Sequence, residues 1–101
     1  MIIVTGSVLA KTNTLDELIA VSLEHTRRSR TEAGCLLHTV HQDYENPLRL
    51  VFVEEWSDRD SLAVHFAEPA SRAFVKAASA LAAESHRRYI FMKPPLSRYR
   101  L

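Results

Sequence analysis

The residues of this chain best suited to moving a proton near neutral pH are its five histidines, and His65 holds the most informative position among them. A neutral imidazole at the mouth of a pocket can take a proton from a phenol or quinol. The plainer reading is a structural histidine that hydrogen-bonds Glu54 or a backbone carbonyl. His65 closes the stretch Glu54-Glu55-Trp56-Ser57-Asp58-Arg59-Asp60-Ser61-Leu62-Ala63-Val64-His65, whose apolar period changes from that of a strand to that of a helix. Alternation sets Leu50, Phe52, Glu54 and Trp56 on one strand face, so Glu54 is expected to be a carboxylate in an apolar setting, with a raised pKa or an ion-pair partner. Its expected work is to position His65 or an arginine. Trp56 is either a stacking wall for a planar substrate or a core residue. Phe52, Phe66 and Ser7 join it as candidate substrate contacts.

His38 and His41 are separated by an odd number of residues, so regular alternation puts them on opposite faces and only one can line a given pocket. His25 and His86 read as surface or interface positions, and Cys35 as a small buried apolar residue. The histidines are spread over four elements, and no His-x-x-x-His or His-x-x-Glu spacing lies on an expected helix. No metal site is therefore expected. With only Gly6 and Gly34, the chain lacks a glycine loop able to cradle a cofactor's phosphates, and no flavin, haem or other cofactor is expected.

The elements that must hold these residues follow from periodicity. Ile2 to Leu9 is a β-branched first strand. Thr14-Leu15-Asp16-Glu17 has the form of a capping box, opening a helix with Leu15, Leu18, Ile19 and Ser22 buried, which should end near Arg30 to Glu32. Cys35 to Gln42 alternates as a second strand, with Leu36, His38 and Val40 on one face, and Asn46-Pro47 turns the chain antiparallel into a third, Leu48 to Trp56. Ser57 is the expected N-cap of the helix carrying Leu62, His65 and Phe66. Pro69 opens a further helix with Phe74, Ala78, Leu81 and Ala82 at helical spacing, and a last strand runs from about Ser85 to Lys93, stopped by Pro94-Pro95. The order β-α-β-β-α-α-β predicts an α+β fold of ferredoxin-like type, an antiparallel sheet with its helices on one side.

Composition narrows the classes further. One domain of 101 residues, 47% apolar, buries a modest core and leaves no room for a separate cofactor domain. Thirteen basic against twelve acidic residues, mostly scattered, give no basic surface that asks for nucleic acid. A single cysteine excludes an internal disulfide and fits a reducing, cytoplasmic setting, and no apolar run is long enough for a membrane. Val51 and Val53 oppose Leu50 and Phe52, and Ile90 and Met92 oppose Tyr89 and Phe91, so both sheet faces call for burial. The expected cover for the second face is another copy of the chain, in a homodimer.

Together, Glu32-Ala33-Gly34-Cys35, Glu54-Glu55-Trp56, His65, Pro69 and Phe74 resemble the antibiotic biosynthesis monooxygenase (ABM) domain family over nearly the whole chain. The resemblance implies a dimeric α+β barrel with one small pocket per subunit between sheet and helices. It also implies mixed chemistry: cofactor-independent oxygenation of quinols or anthrones by O₂, haem degradation, isomerisation of a sugar phosphate, or no known activity. Anthrone-oxidising relatives carry an asparagine at the position of Phe52 and a histidine near His41, which makes His41 the favoured second histidine. Haem-degrading relatives carry an asparagine near Ser7 and an axial histidine near Val75, so haem is not expected. The expected function is oxidation of a quinol-like or polyphenolic small molecule with His65, Glu54 and His41 as the catalytic set. The competing expectations are a small-metabolite isomerase and a ligand-binding stress module.

Overall fold

A computed structural model, which describes residues 1–91, has the element order β1 (Ile2–Ala10), α1 (Leu15–Ser29), β2 (Cys35–Gln42), β3 (Arg49–Trp56), α2 (Arg59–Ala67), α3 (Pro69–Leu81) and β4 (Ala82–Phe91). The four strands form one sheet in the order β2-β3-β1-β4, every neighbouring pair antiparallel. The expected α+β architecture is therefore present. The stop at Pro94-Pro95 and the face assigned to Met92 lie outside the described residues.

Residues paired across strands share a face, and the register assigns the two faces of this sheet. Val8 pairs with Leu50, Gly6 with Phe52, Val4 with Glu54 and Ile2 with Trp56, and apart from Gly6 all of these side chains are buried. Leu18 of α1 and Ala78 of α3 pack on Val8, Ala10, Leu50 and Phe52, while Leu62 of α2 packs on Ile2, Val4 and Trp56. Burying each such aliphatic side chain contributes about 1.5–3 kcal/mol. The opposite face carries half-buried Val51 and Val53, with Leu37 and Ile90 exposed. Among the described residues no helix is long and apolar enough to cross a membrane.

Several local expectations are corrected. A register shift between Cys35 and Leu37 leaves Leu36 exposed at a bulge, so Cys35 opposes Trp56 and shares the inner face with His38 and Val40. The capping box does not form. Thr14 makes no side-chain bond to its own helix; its hydroxyl donates instead to the Leu81 carbonyl at 2.6 Å, joining the start of α1 to the end of α3. Asp58, not Ser57, caps α2, its Oδ1 accepting the Ser61 N–H at 2.7 Å, because an ionised carboxylate is the stronger acceptor at the positive end of a helix. That bond and those from the Ser61 and Ser57 side chains hold the Asp58 carboxyl below its usual range. α1 stops at Ser29, short of the expected end, and Ala82 starts β4 instead of extending α3.

Gly34 links α1 to β2 with φ of 81°, a conformation that side-chain-bearing residues rarely adopt, and a Cβ there would collide with Ser61 and Ser57. Its carbonyl accepts the Ser57 N–H at 2.9 Å. The glycine thus lets the loop after α1 lie directly on the start of α2. That close approach brings Glu32, at the end of one segment, to His65 on the other.

Candidate active site

A cavity of about 480 Å³ lies between the sheet and the helices, reaching from Val4, Gly6 and Val8 of β1 to Phe74 and Ala78 of α3. Gly6 presents no side chain at an inward-facing position of β1, which leaves the floor open opposite Phe52. One end of the cavity is apolar. The other ends on His25, Glu54 and His65, while Ser71, Arg72, His86 and Arg87 add polar groups around the wall.

His65 is held there from both sides. The Glu32 carboxylate, which can only accept, lies 2.7 Å from Nδ1, so Nδ1 carries the proton and Nε2 the lone pair. Nε2 lies 3.7 Å from Glu54 Oε1, and the Trp56 ring packs behind the imidazole at a centroid distance of 4.5 Å. The ring is 2% exposed and opens only to the cavity. Ser71 Oγ approaches Nδ1 at 3.5 Å.

Glu54 is a buried carboxylate, as alternation on β3 predicts. Its Oε1 accepts the Trp56 Nε1–H at 2.9 Å and lies 3.3 Å from His38 Nε2. The expected rise in its pKa is corrected: burial disfavours its charge, but the nearby His38 and His65 rings and the Trp56 N–H outweigh that cost and hold the carboxyl below its usual range. Its observed work is to accept from Trp56 and place its charge beside the His38 ring, with His65 beyond hydrogen-bond reach. The Cys35 thiol behind it is pushed up by burial and by the Glu54 and Glu32 charges, which makes it a poor nucleophile.

His25 is the residue that the sequence reading placed wrongly. It lies on the buried face of α1, stacked on Phe74 at 4.0 Å and 6°, and is 5% exposed at the cavity wall. Its Nδ1 accepts from Arg28 at 2.8 Å. Burial, then the neighbouring His38, His65 and Arg28, lowers its pKa to about 3, so the ring is neutral across the physiological range. The missed signal was periodic: Leu18, Ser22, His25 and Ser29 continue one stripe of α1, and all four are buried.

The remaining candidates separate cleanly. His38 lies on the inner face, fully buried, and Arg30 Nε ties its carbonyl to the end of α1 at 2.9 Å. His41 lies on the outer face, exposed, with Nε2 on Thr39 Oγ1 at 2.8 Å, so the register of β2 removes the favoured His41 from the cavity, and His38, on the inner face, does not line it either. Trp56 has no exposed surface and stands behind His65, so it is a core support and forms no wall of the cavity. Phe52, Phe66 and Ser7 do line the cavity, and the Arg87 guanidinium sits 5.0 Å above the Phe66 ring. His86 is exposed, as expected, although it borders the cavity rim.

Residues 1–77 match the family model for antibiotic biosynthesis monooxygenase. An uncharacterized protein of Synechocystis is 32% identical over 75 residues, which are 74% of this chain and 51% of that protein, so the chain spans about half the length of this curated relative. Among solved structures, a proposed antibiotic biosynthesis monooxygenase of Deinococcus radiodurans superposes with a TM-score of 0.91 at 21% identity, over 98% of this chain and 99% of that one. A Shewanella oneidensis protein gives 0.84 at 26% identity, over 88% and 87% of the two chains. The first of these structural likenesses speaks to the fold alone.

Proposed function

The chain belongs to the antibiotic biosynthesis monooxygenase family, and on that premise we propose that it oxidises a quinol-like or polyphenolic small molecule with O₂, using His65 as the base. The observation that carries this reading is the setting of His65: a ring on the cavity wall whose Nδ1–H is given to Glu32, leaving Nε2 to accept a proton. Glu32 and Glu54 flank the ring and favour the positive charge it acquires. Phe52, Phe66 and Phe74 offer apolar surface to an aromatic ring, and Ser71 a hydroxyl to its oxygen. Removing a proton gives an electron-rich anion that O₂ can oxidise directly. When a ring methylene becomes a carbonyl, its two C–H bonds supply four electrons, one oxygen atom enters the product and the other leaves as water. The cavity of about 480 Å³ suits one small molecule.

Oxygen uptake with a panel of hydroquinones and anthrones is the direct test. For an accepted substrate, His65→Ala should lower turnover by about a hundredfold or more. Full activity of that variant would remove His65 from the reaction. Uptake with no member of the panel would favour the second reading, an isomerase of a small anionic metabolite, which draws on Arg72 and Arg87 in the cavity lining. We also propose that the outer face, with Val51, Val53, Leu37 and Ile90, covers the same face of a second copy, so that light scattering gives twice the chain mass.

A further inference from the structure

From the two guanidiniums that line the cavity we infer that the aromatic molecule it takes carries a carboxylate, received by Arg72 and Arg87. The aromatic ring comes from the oxygenase reading, on which this inference rests; the carboxylate is set by the charges of the wall. Arg72 lies on α3 and Arg87 on β4, so the pair is no solvated stripe of a single element. The fold brings both to one cavity.

The register of the sheet gives the ligand its place. Phe52, Gly6 and Arg87 pair across β3, β1 and β4 in one row of the inner face. Neighbouring strands lie about 4.8 Å apart, so Phe52 and Arg87 stand about 10 Å apart on either side of a position with no side chain. A substituted benzene ring spans that gap. A Cβ on Gly6 would meet only the His86 carbonyl oxygen, at 3.3 Å, so the space over the glycine belongs to the cavity. A ring seated there has Phe52 against one edge and a guanidinium at the opposite one.

The charges of the lining agree. Among the described residues it holds two arginines and one carboxylate, Glu54, which accepts from the Trp56 N–H and lies beside His38. His25 is neutral, and His86 has Glu84 at 3.9 Å. Arg72 makes no ion pair among the described residues. Arg87 lays the face of its guanidinium on the Phe66 ring at 5.0 Å, whereas a carboxylate is received on the edge, where the N–H groups form a fork. An anionic substituent is therefore drawn toward the arginines and away from Glu54, which leaves the hydroxyl of the ring for His65. Side-chain forks without a glycine loop favour a planar carboxylate over a phosphate.

The test is anaerobic calorimetry with 2,5-dihydroxybenzoate and its amide, which differ in charge but hardly in shape. The acid should bind about tenfold or more tighter than the amide, with a preference that shrinks as salt is raised. Arg72→Gln and Arg87→Gln should each cut that preference severalfold while leaving affinity for the amide nearly unchanged. Arg88→Gln, on the outer face opposite Thr5, should leave the preference intact. Equal affinity of the wild type for acid and amide, or tighter binding of 4-hydroxyphenyl phosphate than of the acid, would overturn the inference. The wild-type comparison decides the matter even where a variant fails to fold. Oxygen uptake is read separately: acid bound in preference to amide but without uptake sustains the carboxylate site and counts against the oxygenase reading. Uptake with neutral quinols and no preference for the acid sustains that reading and overturns the carboxylate.

Discussion

The two ends of one sheet are built on opposite terms. At one end Val8, Ala10, Leu50 and Phe52 meet Leu18 and Ala78 in a wholly apolar cluster. At the other, Ile2, Val4, Trp56 and Leu62 share the space beneath the helices with His25, His38, His65 and Glu54, all buried. The same strands supply both, with a change of residue type over a few alternating positions. The apolar end gains stability from every contact, whereas each buried imidazole or carboxylate costs desolvation that its partners only partly repay. The contrast teaches that stability and polar chemistry draw on different residues: one end holds the fold together and lends Phe52 to the cavity, and the other carries groups that burial alone would not select.

Three perturbations break or sharpen that contrast. The largest effect is expected at the apolar end. Leu18→Ala removes a side chain with no exposed surface and should lower unfolding free energy by about 2–5 kcal/mol in urea titrations, by the same amount at neutral and mildly acidic pH. A pH-dependent loss would show that the two ends are not separate.

Next comes acid lability, which should arise from the polar end. The unfolded chain protonates His25 near the ordinary 6.5, but the folded ring resists until about 3. Between those values the unfolded state holds more protons, so stability falls as pH falls, by at most about 1.4 kcal/mol per pH unit. Glu54 acts in the same direction further down: its depressed folded value contributes stability above the ordinary 4.5 that is lost as pH drops through the folded value. Denaturation midpoints of wild type and His25→Phe, measured between about pH 7 and about pH 5, should converge on acidification because the variant lacks the His25 slope. Equal slopes would place the acid sensitivity elsewhere.

The smallest effect concerns the tie between helices beside the apolar cluster. Thr14→Val removes the hydroxyl that reaches the Leu81 carbonyl and should cost about 1 kcal/mol without altering substrate turnover. A larger loss in turnover than in stability would mean that α3 transmits position to the cavity.

Much of this arrangement is legible in the sequence, for stated reasons. Alternation along β3 places Phe52, Glu54 and Trp56 on the buried face, because a strand has no other way to present every second side chain. The helix after Trp56 follows likewise from period, which sets His65 beside its buried stripe; the depth of His65's burial does not. The rest required distances. Glu32 lies past the end of α1, where no period constrains it, and meets His65 only because Gly34 permits the close return of the loop. The choice between His38 and His41 turned on which face of β2 meets the helices. His25 had a legible position on the α1 stripe, yet its type argued for the surface and prevailed over its spacing. The capping signals at Thr14 and Ser57 were real polar groups bound to different partners, since several nearby acceptors and donors compete for a single hydroxyl.

The register of β4 on β1 bears on how the molecule is assembled. β1 lies inside the sheet, paired with β3 on one edge and on the other with β4, the described strand most distant from it along the chain. Pairings so remote in sequence are slow to form, because the loop entropy of the whole intervening chain is lost before any contact compensates it. A folding chain that has joined β1, β2 and β3 therefore still presents the bare edge at Gly6, and the cavity still lacks the wall that Ser85 and Arg87 provide. Docking of β4 is then the event that turns a sheet into a receptor, and amide exchange along β4 should report how often the native protein reverses that step.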